Sequence, residues 1–229
     1  MKALRPAFLF VFFLILFLLN TFFVFETGWM PEIDRRVYGL FEVLKSSEWL
    51  RVSHIVTFFG NGNTLYLLGG VVIGWLLMVR SCSPSTLSER RPSGRRVEGL
   101  IHRRFGRTGW YFVVLALGFE LNALLKLYFA RPRPVGYDHS YVPTTYAYPS
   151  GHAFDSLVFY FLTFVIFSQK MGSKTKRAAS VILVCLTTAI GLSRLALGVH
   201  WLSDVTGGLL LGAAWLFLNL SLVQKLKEP

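Results

Sequence analysis

Apolar residues fall along this chain in long continuous runs, not in the alternating or one-faced patterns of a soluble domain. Six runs, at about residues 6–25, 63–79, 109–125, 153–167, 178–192 and 201–223, approach the ~20 residues a helix needs to cross a bilayer. They predict an all-α integral membrane protein with six transmembrane helices, forming one membrane-embedded domain over residues 1–229. Between the first and second runs, Ile33, Val37, Leu40, Phe41 and Leu44 recur at helical spacing with charges opposite. That stripe predicts an amphipathic helix lying along the membrane interface. The cluster Gly60, Asn61, Gly62, Asn63 punctuates the next apolar stretch, so the second span starts near Asn63 or is a broken helix that begins at Val52.

Composition supports the pattern. Hydrophobic residues make up 53% of the chain, with 21 Phe, which leaves too little polar sequence to cover a soluble domain of this size. The net charge of +12 would suit a nucleic-acid partner in a soluble chain, but its distribution excludes that reading. Arg80, Arg90, Arg91, Arg95, Arg96, Arg103, Arg104 and Arg107 fall in one inter-span segment, and Lys170, Lys174, Lys176 and Arg177 in another. Lys2, Arg5, Lys225 and Lys227 make the ends basic as well, so every second segment is positive, as cytoplasmic segments are. Residues 81–107 are thus expected to be a basic cytoplasmic loop, and both termini cytoplasmic. Without a small-x-small cleavage site before Glu26, the first run reads as an uncleaved span. Cys82 and Cys185 fall in a cytoplasmic loop and an apolar run, which predicts free thiols.

This topology puts three segments outside, and most of the unusual chemistry falls in the last two. Lys126 ends the third span and is followed by Arg131, Pro132, Arg133 and Pro134. Charges at membrane depth are costly, so they have a partner, a ligand or a snorkelling role. Pro149, Ser150, Gly151 and His152 then open the fourth span; the turn, a capping Ser and unpaired first N–H groups make an anion site. Ser193 and Arg194 precede His200 and Asp204, whose separation by four puts them on one face of a helix. Asp204 can fix one imidazole nitrogen of His200 and leave the other free to attack. A metal on His200, Asp204 and His152 competes with this reading, although three cations nearby oppose a divalent ion. Histidines merely satisfied at helix ends are the other alternative. Glu120 and Asn122 are expected to face the bundle interior, and Asp155 either bonds His152 or is a solvated charge at the helix start.

In order and spacing these residues resemble the signature of the type 2 phosphatidic acid phosphatase and vanadium haloperoxidase superfamily. Its first part, Lys, six residues and Arg-Pro, corresponds to Lys126, Arg133 and Pro134; the second to Pro149 through His152; the third to Ser193, Arg194, His200 and Asp204. Spacing leaves Arg131 as an accessory or surface charge. The resemblance implies that Lys126, Arg133 and Arg194, with the Ser150 and Gly151 backbone, bind phosphate. It further implies that His200 attacks phosphorus, that His152 protonates the leaving oxygen, that Asp204 orients His200, and that neither metal nor cofactor takes part.

An outward-facing site among lipid-contacting spans is expected to take a lipid phosphate or diphosphate from the bilayer. Undecaprenyl diphosphate is the first expectation, converted to undecaprenyl phosphate through a phosphohistidine; phosphatidylglycerophosphate or phosphatidic acid is the alternative. A lipid or anion transporter is the reading from another class, and a halide-oxidising enzyme holding vanadate a third. Nothing in the sequence fixes an oligomeric state.

Overall fold

The computed structural model describes residues 5–81, 94–134 and 145–225. Among them are α-helices α1 (Pro6–Phe25), α2 (Trp29–Val43), α3 (Ser47–Phe58), α4 (Gly62–Ser81), α5 (Gly94–Phe129), α6 (Gly151–Phe167), α7 (Ser173–Ala196) and α8 (Leu202–Lys225). A short 3₁₀ turn, Ser168–Lys170, joins α6 to α7, and no strand occurs among the described residues.

Among the described residues, four segments are long and apolar enough to cross a bilayer: Pro6–Phe25, Gly109–Phe129, Ser173–Ala196 and Leu202–Gln224. A fifth crossing is available to α3 and α4 together, as Ser47–Phe58 and Gly62–Leu76, bent by 40° at the break. The break falls on the Gly-Asn cluster, so the broken-helix reading describes this region better than a span starting at Asn63. Helix α6 has 17 residues, about 25 Å of helix, somewhat short of a ~30 Å hydrocarbon core. Residues 94–107, expected in a basic loop, instead form the first turns of α5, while residues 82–93 lie outside the described residues.

Helix α1 packs most extensively along α8, and α6 lies against α7, α5, α4 and, most closely, α8. Only 17% of the α1 span is buried within the chain, and Phe8, Ile15, Leu18 and Phe22 point outward. A face this apolar and uncovered suits lipid. The core runs through Phe17, Leu65, Tyr111, Val114, Phe154, Val158 and Leu162. Close approach of α6 and α8 depends on glycine. A Cβ at Gly208 would come within 2.5 Å of the Ser150 carbonyl oxygen and 3.1 Å of Ala153 Cβ.

Helix α2 departs from a simple interfacial helix. Its apolar stripe is divided: Val37 and Phe41 pack on the cluster of Ala153, Leu195 and Val205, whereas Ile33, Leu40 and Leu44 are exposed. The residue it buries is a charge, Asp34, only 1% exposed.

Candidate active site

The site is assembled at one end of the bundle, where α5 ends, α6 begins and α7 turns into α8. Each part has a local cause. Helix α7 stops at Leu197 because Gly198, at φ 67, takes a left-handed conformation available to glycine at little cost. The Gly198 amide donates to Leu195 O and that of Val199 to Arg194 O, closing the last turn and presenting His200. Ahead of α6, Tyr148 anchors the chain. Its ring lies among Phe17, Phe25 and Phe129, and its hydroxyl meets Thr21 Oγ1 at 2.7 Å and accepts from Asn20 Nδ2 at 3.1 Å. The second and third parts of the signature are tied directly: Ser150 N–H donates to Asp204 O at 2.9 Å.

His200 is 2% exposed and Asp204 fully buried. Their relation differs from the helical face expected, since His200 lies before α8 and Asp204 in its first turn. Asp204 reaches back as an N-terminal cap. Its Oδ2 accepts from Trp201 N–H at 2.9 Å and meets His200 Nδ1 at 3.3 Å. The other imidazole nitrogen, Nε2, lies 3.0 Å from Arg133 Nη1. A guanidinium only donates, so Nε2 is the acceptor and the proton sits on Nδ1, toward Asp204. Burial first, then the charges of Arg133, Lys126 and Arg194 and the neighbouring His152, hold the His200 imidazole well below its usual range. The group therefore presents a neutral lone pair.

The cations expected to bind phosphate occupy this end of the bundle. Arg133 is held by Thr145 O at 2.7 Å, Val199 O at 2.7 Å and Tyr146 O at 3.2 Å. Lys126, in the last turn of α5, donates to Tyr146 O at 3.0 Å. Arg194 is 1% exposed and donates to Thr57 Oγ1 at 2.6 Å. Thr57 lies at the end of α3, next to the helix break, and a Cβ at Gly60 in that break would overlap Ile190 and approach His152 Cδ2 to 3.3 Å. The broken helix is therefore part of the site's wall, which sequence reading did not anticipate.

Ser150 occupies the N-cap position of α6, but its hydroxyl makes no capping bond. Ser150 Oγ, His152 Nε2, Asn122 Nδ2 and Asp155 Oδ1 are buried without a hydrogen-bond partner. Four such atoms in one region suit a polar ligand, because buried polar atoms are otherwise satisfied. A Cβ at Gly151 would lie 3.4 Å from Asn122 Oδ1 and 3.6 Å from Lys126 Cε, so these groups surround the start of α6. Asn122 faces the interior as expected, whereas Glu120 is exposed.

Of the two readings of Arg131, accessory or surface charge, the second does not hold. Arg131 is 9% exposed and joins two carboxylates: Nη1 donates to Asp204 Oδ1 at 2.5 Å and Nη2 to Asp34 Oδ2 at 2.7 Å. Ser203 lies between them, accepting from Arg131 at 2.7 Å and donating to Asp34 at 2.5 Å. No group of three His, Cys, Asp or Glu side chains suited to a metal ion occurs among the described residues.

Residues 107–228, more than half of the chain, match the PAP2 superfamily, and the chain belongs to it. Phosphatidylglycerophosphatase B of Bacillus subtilis (strain 168) is 30% identical over 134 residues, covering 54% of this chain and 64% of that protein, just under two thirds of its length. The crystal structure of a transmembrane PAP2 type phosphatidylglycerolphosphate phosphatase from Bacillus subtilis superimposes with a TM-score of 0.75 over 98% of each chain. Its sequence identity of 22% makes this a likeness of fold.

Proposed function

We propose that this chain is a membrane lipid phosphatase that removes the terminal phosphate of phosphatidylglycerophosphate through a phosphohistidine on His200. The observation that carries the reaction is the buried His200, its Nδ1 facing Asp204 and its Nε2 lone pair facing Arg133. A lipid or anion transporter would need the cations but not this oriented imidazole. The substrate rests on the 30% identity to phosphatidylglycerophosphatase B. That relative favours phosphatidylglycerophosphate over undecaprenyl diphosphate, the first expectation from sequence.

Lys126, Arg133 and Arg194, with the Gly151 amide and the Ser150 hydroxyl, hold the three non-bridging oxygens, over which charge spreads during in-line transfer; the Ser150 amide, expected from sequence to join them, instead donates to Asp204 O. As phosphate enters, Arg133 passes from His200 Nε2 to a phosphate oxygen and frees the lone pair. Nε2 then bonds to phosphorus while the phosphorus–oxygen bond to the lipid alcohol breaks, and the departing oxygen takes a proton from His152. Asp204 stabilises the cationic phosphohistidine. In the second displacement His152 takes a proton from water, whose oxygen attacks phosphorus; inorganic phosphate leaves and His200 is restored. No step calls on a metal.

Six crossings follow if α3 and α4 form one broken span and α6 a short one. The basic segments then lie in the cytoplasm with both termini, α2 lies on the outer side, and the site opens outward. Comparing kcat/KM on vesicles carrying phosphatidylglycerophosphate or undecaprenyl diphosphate, with excess chelator, tests this reading. At least tenfold preference for phosphatidylglycerophosphate is expected. The reverse preference would overturn the substrate, and loss of activity with chelator the metal-independent reaction.

A further inference from the structure

We infer that Asp34 of α2 is a positioning residue for the nucleophile, acting through Arg131 to hold Asp204 in place and to leave the buried Asp34–Arg131–Asp204 group with a net negative charge. This rests on the phosphohistidine reading and adds to it a residue outside the three-part signature.

The need for Asp34 follows from a charge count. During attack His200 becomes cationic, and Asp204 is the carboxylate facing its Nδ1. Yet the other oxygen of Asp204 accepts a close hydrogen bond from Arg131, and an arginine given wholly to one carboxylate would neutralise it. Asp34 takes the opposite arm of the same guanidinium at 2.7 Å. Two carboxylates around one guanidinium carry a net charge of −1, which leaves Asp204 able to stabilise the imidazolium. All three side chains are at least nine-tenths buried, so solvent screens this arrangement weakly.

The geometry is fixed from both sides. Asp34 Oδ1 accepts from Ser203 N–H at 2.9 Å, anchoring α2 to the first turn of α8, one residue before Asp204. Ser203 Oγ bridges Arg131 and Asp34. The Arg131 guanidinium also lies 5.8 Å from the centre of the Trp201 ring, next to His200. Asp34 and Ser203 act on Arg131 and the first turn of α8, whereas Lys126 and Arg133 are held by the carbonyls of Tyr146, Thr145 and Val199, so loss of Asp34 is expected to act on nucleophile orientation before phosphate binding.

That difference supplies the test. Asp34→Asn in the whole purified chain is expected to lower kcat at least about tenfold. KM and the inhibition constant for inorganic phosphate stay within about twofold of the parent. A wild-type kcat, or a parallel loss of kcat and phosphate binding, would overturn the inference. Should Asp34→Asn fail to fold, Ser203→Ala, which removes the bridging hydroxyl, is expected to lower kcat about threefold at unchanged phosphate inhibition. A Ser203→Ala variant equal to the parent in kcat would then overturn it. Failure of the underlying reading is distinguishable, because His200→Ala would retain turnover.

Discussion

At the residue scale the proposed reaction depends on a histidine kept neutral beside a buried carboxylate. The cations proposed to bind phosphate also disfavour protonation of His200, whose imidazole is held well below the ordinary value of 6.5. Attack requires the unprotonated form. Protonation therefore removes activity only as pH falls through that depressed value, and the acid limb of kcat/KM should lie below pH 6.5. A pH profile of the purified chain checks this, and a limb above pH 7 would contradict it. The residues of the signature were legible in sequence because their chemistry demands particular types at short spacings: Lys126 with Arg133, Ser150 with His152, His200 with Asp204. Asp34 and Thr57 were not, because what makes them matter is contact with Ser203 and Arg194, 169 and 137 positions away. Arg131 was read as an accessory or surface charge, and its burial rules out only the second, since spacing gave the phosphate role to Arg133 and nothing local announced two buried carboxylates.

At the scale of elements, helix ends and close crossings bring separate motifs together. Helices α1, α6, α7 and α8 were legible as long apolar runs, to within a few residues. The amphipathic stripe of α2 was legible as periodicity but not in its main consequence, because periodicity ranks Asp34 with the solvated face. The α3–α4 break was readable from its Gly-Asn cluster, whereas its place against His152 and Arg194 depends on packing. Gly208 is where α6 and α8 approach most tightly. Gly208→Ala should force Ser150 and Ala153 away and destabilise the fold by about 1–3 kcal/mol, the usual cost of overpacking. Thermal unfolding in detergent measures this, together with weakened phosphate inhibition as the α6 start moves; an unchanged melting temperature would show that the crossing is looser than described.

At the scale of the whole molecule, the proposed topology rests on alternating basic and mixed segments, and that orientation would set which leaflet supplies substrate. With Cys82 and Cys185 replaced by serine, a cysteine introduced at residue 229 should react with a membrane-impermeant thiol reagent in inside-out vesicles and be protected in right-side-out ones. The converse pattern would invert the proposed topology and put the site in the cytoplasm. The fold explains how a chain of 229 residues builds an anion site beside lipid: the broken α3–α4 pair, the short α6 and the α7–α8 turn leave helix ends and polar side chains facing one another inside the bundle. The central claim, a covalent phosphohistidine on His200, is tested most directly by rapid quenching with substrate carrying labelled terminal phosphate. Acid-labile, base-stable label on His200, absent from His200→Ala, is the expected result; label retained in His200→Ala, or turnover in that variant at the parent rate, would contradict it.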